Sequence, residues 1–162
     1  MSLERLKMHR EVWERKPNIG DISSFFKEII RVLKIGGRIL ILDPYISPFS
    51  YFIYKFFHRE GFDMKANIFE KKELSKDPFD SNMAIANLLF FKHKEIFRKN
   101  YPNLKIVKKE LLSFILYPLS GGFEHPCFIP KSIIGIIKAL EKILYPFRKL
   151  LALRTFVVIE KI

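Results

Sequence analysis

The pattern of hydrophobic and polar positions between residues 21 and 45 predicts a helix, a tight turn and a strand in succession. Apolar side chains recur every three or four positions from Ile22 to Leu33, which is the spacing of a helix that buries one face. Gly36 can take the left-handed conformation in which helices commonly end. The run Arg38–Leu42 is apolar apart from its first residue, which predicts a strand covered on both faces. Helix, turn and strand together indicate an α/β unit.

Three further helices are predicted from the same periodicity. Helical spacing of apolar positions continues at about 48–58, 82–99 and 131–152. We expect Pro146 to kink or split the last of these helices, because proline lacks a backbone donor and clashes with the preceding turn.

Two more strands complete the predicted elements. Residues 104–112 begin with alternating apolar and polar side chains and end apolar, and residues 155–160 read TFVVIE, as is typical of strands. We expect residues 1–20 to form a charged helical arm and residues 21–162 to form one α/β domain.

Aromatic side chains crowd the predicted helix at 48–58. Its predicted buried face consists of five apolar residues, Phe49, Phe52, Ile53, Phe56 and Phe57. Such a face usually packs in a protein core. The alternative is that part of it lines a pocket for a substrate, and the sequence leaves both interpretations open.

The first helix and strand carry a sequence that resembles a known family. The stretch from Phe26 to Asp43 reads FKEIIRVLKIGGRILILD. It resembles strand five and the preceding helix of class I S-adenosylmethionine-dependent methyltransferases, in their type 11-like branch, which usually read Glu-x-x-Arg-Val-Leu-Lys-Pro-Gly-Gly before a strand that ends in an acidic residue. Ile35 stands where proline is usual. The matching residues are Glu28, Arg31, Val32, Leu33, Lys34, Gly36, Gly37 and Asp43.

The resemblance implies a partial Rossmann-like methyltransferase fold. Its three-stranded mixed sheet would correspond to strands five, seven and six of the family, with residues 155–160 lying antiparallel between the other two. The implied function is transfer of a methyl group from S-adenosylmethionine to an acceptor, with a lipid or a saccharide as candidates. The alternative function is that of a non-enzymatic module, either oligomeric or peripheral to a membrane.

Glycine spacing argues against cofactor binding by these residues. No two of the seven glycines are separated by a single residue, so the chain contains no G-x-G. Class I methyltransferases bring backbone close to the cofactor at a glycine-rich turn after strand one, where a Cβ would collide. The resemblance covers only the second half of the fold. We therefore interpret the chain as a shortened member of the family and predict that it binds S-adenosylmethionine weakly or not at all.

Candidate site residues are few. In the methyltransferase interpretation, Tyr45, His58, Asp80 and Asn82 could bind the substrate. His58 is also a candidate general acid or base, because histidine changes its charge near neutral pH. The alternatives are structural, since His58 would interact favourably with the end of a helix and Asp80 or Ser81 would cap the next one. No histidine or cysteine lies near enough to Asp80 in sequence to suggest a metal site.

Charge and cysteine content bear on partners and location. The formal charge of +12 favours an anionic partner, such as a lipid headgroup or a phosphorylated substrate. A nucleic acid is disfavoured, because none of the usual binding motifs is present. In the helix predicted at 131–152, the face opposite the apolar one carries Lys131, Lys138, Lys142 and Lys149. Such a basic face either binds an anionic membrane surface or is simply exposed to solvent. A single cysteine, a charged N-terminus and no apolar run of about 18 residues predict a cytoplasmic protein, peripheral if it meets a membrane.

The strand at Arg38–Leu42 is expected to have a free edge. In the family its outer edge pairs with strand four, for which these 162 residues offer no segment. Unpaired edges of apolar strands tend to associate. The sequence therefore predicts a homodimer through this edge.

Overall fold

A computed structural model describes most of the chain, namely residues 22–57, 61–69, 82–120, 127 and 129–162. The predicted arm at residues 1–20 lies outside the described residues, as do His58 and Asp80. Predictions that concern them remain predictions.

The described residues form a three-stranded sheet in the order β1–β3–β2. Strand β1 is Arg38–Pro44, β2 is Leu104–Leu112 and β3 is Arg154–Lys161. Strand β3 pairs antiparallel with both of the others, which confirms the predicted central position of residues 155–160. The prediction of a mixed sheet is wrong for the described residues. Strands β1 and β2 run in the same direction but do not pair, so each hydrogen-bonded pair is antiparallel.

Helix α1 (Ile22–Val32) ends at the predicted glycine turn. Gly36 has a φ of 76°, which confirms the left-handed conformation. Its N–H donates to the carbonyl of Lys161 at 2.7 Å. The amine of Lys161 in turn donates to the carbonyls of Ile30 at 2.6 Å and Leu33 at 2.8 Å. The last residues of β3 thus accept and donate the bonds that the end of α1 would otherwise lack.

Helix α2 (Pro48–Phe57) presents a different face to the core than predicted. Ser50 and Tyr54 are its buried residues, whereas Phe56 is 71% exposed. Of the remaining predicted core residues, Ile53 is half-buried and three are exposed, Phe49, Phe52 and Phe57. The predicted buried face is therefore wrong. Hydrogen bonds of the two buried polar side chains fix the rotation of α2 instead, as described below.

The predicted helix at 82–99 is built in three pieces. Helix α3 (Ile85–Asn87) continues into a π-helical turn (Leu88–Lys92), and helix α4 (Lys94–Asn100) follows. The N–H of His93 donates to the carbonyl of Leu88 at 2.7 Å, which is the wide spacing of a π-turn.

The main core lies between this helical region, α1 and one face of the sheet. Buried phenylalanine rings meet edge to face, with centroids 5.2 Å apart for Phe26 and Phe97 and 5.5 Å apart for Phe90 and Phe97. Ile39 and Ile41 of β1 pack against this cluster. Aromatic pairs in this arrangement contribute to stability beyond the area that they bury.

The opposite face of the sheet is exposed along β1, although Val158 of β3, which pairs with Leu40, is buried. Leu40 of β1 is 55% exposed and Leu42 is 41% exposed. The prediction that β1 is covered on both faces is therefore wrong. Only the face that carries Ile39 and Ile41 meets the core.

The predicted helix at 131–152 is interrupted near Pro146, as expected. Within it, 3₁₀ turns at Lys131–Ile133 and Tyr145–Phe147 flank helix α6 (Ile134–Leu144), and helix α7 (Arg148–Leu151) leads into β3. These four pieces are called the 131–151 segment below. Helix α5 (Leu116–Leu119) precedes this segment and contacts α6.

Candidate functional site

Tyr45 lies directly after β1, where the family resemblance would locate part of an acceptor site. Its backbone N–H donates to the carbonyl of Leu153 at 2.8 Å, and its own carbonyl accepts the hydroxyl of Ser50 at 2.6 Å. The ring centroid of Tyr45 is 5.1 Å from that of Phe91. Burial raises the pKa of the Tyr45 hydroxyl, so this group stays neutral at physiological pH.

Two buried serines fix the start of α2 next to Tyr45. The N–H of Ser50 donates to the hydroxyl oxygen of Ser47 at 3.0 Å, and the N–H of Ser47 donates to that of Ser50 at 2.7 Å. This reciprocal pair satisfies two donors at the beginning of the helix in the manner of a capping box. Both hydroxyls are engaged with backbone, so neither is arranged as a nucleophile.

Tyr54 connects α2 to the beginning of β3. Its hydroxyl donates to the carbonyl of Leu153, which also accepts the N–H of Tyr45. Burial raises the pKa of Tyr54, Asp43 and Tyr117 add to this effect, and Arg154 opposes it. The side chain is therefore a neutral donor that holds two elements together.

Lys109 points from β2 towards the π-helical turn. Its amine donates to the carbonyl of Phe90 at 3.1 Å and lies 4.8 Å from the ring centroid of Phe91. Desolvation lowers the pKa of Lys109, with further lowering by Lys94 and Arg98. Lys109 thus belongs to one aromatic and basic cluster with the π-helical turn and the Tyr45–Phe91 pair, near the carboxyl end of β1.

Asn82 is held in place by hydrogen bonds to the loop that contains Asp63. Its side-chain oxygen accepts the N–H of Asp63 at 2.9 Å and that of Ala84 at 3.0 Å, while its amide donates to the carbonyl of Asp63 at 2.9 Å. These bonds fasten the loop to the start of α3. Tyr45 and Asn82 thus have separate partners, and substrate binding by either remains a prediction.

The exposed face of the sheet is a second candidate site. Besides Leu40 and Leu42, Val107 of β2 is exposed and Phe156 of β3 is half-buried, with the amine of Lys108 5.8 Å from its ring centroid. Strand β1 pairs only with β3 among the described residues, so its outer edge has no strand partner there. An apolar face beside a free edge is suited to docking of further structure.

The 131–151 segment is the third candidate. All four lysines singled out from the sequence are exposed, Lys131, Lys138, Lys142 and Lys149. The carboxylate of Glu141 turns inward, where one oxygen accepts the N–H groups of Phe114, Ile115 and Leu116 at 3.0, 2.8 and 2.8 Å. Most apolar side chains of this segment are exposed as well.

Sequence reasoning singled out neither Tyr54, Lys109 nor Glu141 as a site residue. Tyr54 resembles its neighbour Tyr51 in type and periodicity, so no local signal separates them. Glu141 had a usable signal, because it is the one acidic residue among the basic residues of the 131–151 segment.

The described residues contain neither a metal-binding cluster nor a helix that could span a membrane. Within residues 22–57, 61–69, 82–120, 127 and 129–162, no group of three or more histidine, cysteine or acidic side chains could hold a metal ion. No helix in that same part of the chain is long and apolar enough to span a membrane. Comparisons of the chain with protein-family models, with curated proteins and with solved structures gave no match.

Proposed function

We propose that this chain is the second half of a class I methyltransferase fold and serves methyl transfer once a cofactor-binding half completes it. One observation carries the proposal. The helix, the glycine turn and β1 have the family's sequence pattern, and the last strand lies antiparallel between the two earlier ones. In the family, strand seven occupies that position between strands five and six. The exposure of Leu40 and Leu42 also supports the proposal, as does the outer edge of β1, which has no strand partner among the described residues, because a cofactor-binding half would cover both.

The described residues alone do not form a site that fits S-adenosylmethionine. Gly36 and Gly37 precede β1 and lie at its amino end, where their turn is bonded to Lys161. At the carboxyl end, the backbone N–H and carbonyl of Tyr45 and the hydroxyl of Ser47 form hydrogen bonds within the chain. No step of methyl transfer is therefore assigned to these residues. Their role in the proposal is to supply the acceptor side and the surface on which the cofactor half docks.

A chimera tests this proposal directly. The N-terminal half of a class I methyltransferase, through its strand four, is joined before Asp21 of this chain. We expect the chimera to bind S-adenosylmethionine with a micromolar dissociation constant by calorimetry. We expect residues 1–162 alone to bind more weakly than about 100 μM, because they lack the glycine turn.

The control is the same chimera with the first glycine of the donor's G-x-G replaced by valine, which should abolish binding. A chimera that unfolds cooperatively yet fails to bind would contradict the proposed completion of the fold. Low micromolar binding by the isolated chain would contradict the assignment of the cofactor site to the other half.

A second candidate function, that of a non-enzymatic oligomeric module, is favoured by the exposure of Leu40 and Leu42 beside the free edge of β1. In that case the edge pairs with a second copy rather than with strand four. Sedimentation equilibrium of the isolated chain distinguishes a stable dimer from a monomer.

A further inference from the structure

The 131–151 segment exposes an apolar stripe that the core does not use. Ile136 is 69% exposed and Ile143 is 70% exposed. They are seven residues apart in α6, which is two helical turns, so they lie on the same side of the helix. Phe147 and Leu150 continue the exposed apolar residues past the break at Pro146. Soluble monomers rarely leave such a stretch of large apolar side chains in water.

The orientation of α6 is fixed by two residues on its inner side. Ile137 is the buried residue of this helix, and Glu141, four residues later, binds the backbone N–H groups that begin at Phe114. Ile136 and Ile143 therefore face away from the sheet and the helices packed on it. This contact of Glu141 also removes the one acidic side chain of the segment from the exposed surface.

Basic side chains lie on another side of the same segment. Arg148 and the four exposed lysines Lys131, Lys138, Lys142 and Lys149 make five basic residues in the segment, against Glu141 alone as an acid. Lysine side chains are long enough to lay their methylene groups along an apolar surface while the amine reaches a charged partner.

Helix α2 also exposes apolar side chains. It contacts α7, and its aromatic residues Phe52, Phe56 and Phe57 are exposed. Aromatic side chains are common where proteins meet the boundary between lipid headgroups and acyl chains. Neighbouring elements thus expose apolar groups together.

We propose that this surface binds a bilayer that contains anionic lipids. Ile136, Ile143 and Phe147 enter the boundary between headgroups and acyl chains, while Lys138 and Lys142 neutralise headgroup charge. A bilayer offers an apolar interior and negative charge together. A nucleic acid offers only the charge, and a second copy of this face would bring lysines against lysines. The proposal does not depend on the methyltransferase assignment.

Vesicle sedimentation tests the proposal with the full chain. We expect the wild-type protein to sediment with vesicles of phosphatidylcholine and 30% phosphatidylserine, and not with phosphatidylcholine alone. The double variant Ile136→Ser/Ile143→Ser should bind at least about 100-fold more weakly, because two buried apolar side chains are lost. Lys138→Gln/Lys142→Gln should bind about 25-fold more weakly at low salt, about fivefold for each lysine near an anionic surface.

Matched controls use equally exposed residues at the other end of β3. Ile35→Ser/Ile162→Ser removes two isoleucines, of which Ile35 is 82% exposed, without touching the 131–151 segment. Lys27→Gln/Lys34→Gln removes two exposed lysines from α1 and the turn after it. Both control variants should bind vesicles within about twofold of the wild type if the 131–151 segment alone carries the binding.

Insertion can be measured separately from adsorption. Cys127 is the only cysteine, so a Cys127→Ser background allows one environment-sensitive dye to be placed by Ile143→Cys or by Ile35→Cys. We expect a blue shift with anionic vesicles for the dye at position 143 and none for the dye at position 35.

Five outcomes would overturn the proposal. The first three are no sedimentation with anionic vesicles at low salt, equal binding to uncharged vesicles, and unchanged binding by Ile136→Ser/Ile143→Ser. The fourth is a dimer that this same variant dissociates, with no vesicle binding by the wild type, which would assign the face to self-association. Binding that depends on the lysines alone, with no shift of the dye at position 143, would likewise exclude insertion.

Discussion

Tyr54 is the residue whose contacts explain the orientation of α2. Its hydroxyl donates to the carbonyl of Leu153 inside the fold, which keeps α2 against the start of β3. We expect Tyr54→Phe to lower the free energy of unfolding by about 1–2 kcal/mol, since the buried hydrogen bond is lost while the ring remains. Urea unfolding measures this change. Tyr51→Phe is the matched control, because Tyr51 is exposed on the same helix and should change stability by less than about 0.5 kcal/mol.

The same variant has an expected dependence on pH. The folded-state pKa of Tyr54 is raised above its unfolded value, mainly by burial. Above about pH 10 the unfolded chain loses the tyrosine proton first, so the stability of the wild type falls as pH rises. Tyr54→Phe removes this contribution and should show a shallower fall. Lys109, whose pKa is lowered, acts in the opposite direction but equally in both proteins. Parallel stability curves above pH 10 would contradict the prediction.

Single residues also mark the limit of what the sequence could predict about the site. Tyr45 was chosen because it follows the family-like strand, and the structure shows it half-buried beside Phe91. The partners of Lys109 and Glu141 could not be predicted. Lys109 binds a backbone carbonyl 19 residues away in sequence, and Glu141 accepts from a backbone N–H 27 residues away. No local sequence pattern specifies such contacts.

At the scale of elements, the glycine turn between α1 and β1 was predictable because its chemistry is local. Gly36 needs a positive φ, and a Cβ on Gly37 would lie 2.7 Å from the carbonyl oxygen of Lys34. We expect Gly36→Ala to destabilise the protein by about 1–2 kcal/mol, because left-handed backbone is costly for alanine. Thermal and urea unfolding measure the effect.

Gly135 provides the matched control for the glycine turn. It lies in α6, and a Cβ added there meets nothing within 4 Å. Gly135→Ala should therefore stabilise the protein, by up to about 1 kcal/mol, through helix propensity alone. Equal effects of the two substitutions would show that the positive φ of Gly36 does not constrain the turn.

Helix α2 shows why the choice of buried face could not be predicted from periodicity. Apolar or aromatic residues of α2 itself lie on nearly all sides of the helix, so several of its faces fit the pattern of a buried helix face. Hydrogen bonds of Ser47, Ser50 and Tyr54 determine which face of α2 is buried. Their partners do not belong to the apolar repeat of the helix, so the repeat does not reveal them. By contrast, the break at Pro146 follows from the covalent structure of proline and was predicted correctly.

At the scale of the whole molecule, strand order was predictable and strand environment was not. The family resemblance supplied the central position of residues 155–160, whereas an apolar run such as Arg38–Leu42 does not reveal how many of its faces are covered. In the described residues the helices that touch β1 lie on the side of Ile39 and Ile41. Leu40 and Leu42 therefore remain exposed next to a free edge.

That free edge predicts self-association of the isolated chain. Two copies of β1 can pair about a two-fold axis, which satisfies the outer backbone groups of both and shields Leu40 and Leu42. We expect sedimentation equilibrium at micromolar concentration to show a dimer. Leu40→Lys should shift the protein to monomer. The two-fold axis would place the new lysines of the two copies close together near the middle of the paired strands, where they repel each other. Leu40→Pro should disrupt both the strand and the association, because proline removes a backbone donor.

The lysine variant separates loss of association from loss of folding, which the proline variant alone cannot do. Leu40 is already exposed in the isolated chain, so Leu40→Lys leaves the core intact and should change the free energy of unfolding of the monomer by less than about 0.5 kcal/mol. Val107→Lys is the matched control, since Val107 is an exposed apolar residue on β2, the strand at the opposite edge of the sheet. It should leave the dimer unchanged if β1 forms the interface. A monomeric wild type would mean that the edge of β1 is covered within the chain, and loss of the dimer in Val107→Lys would move the interface to β2.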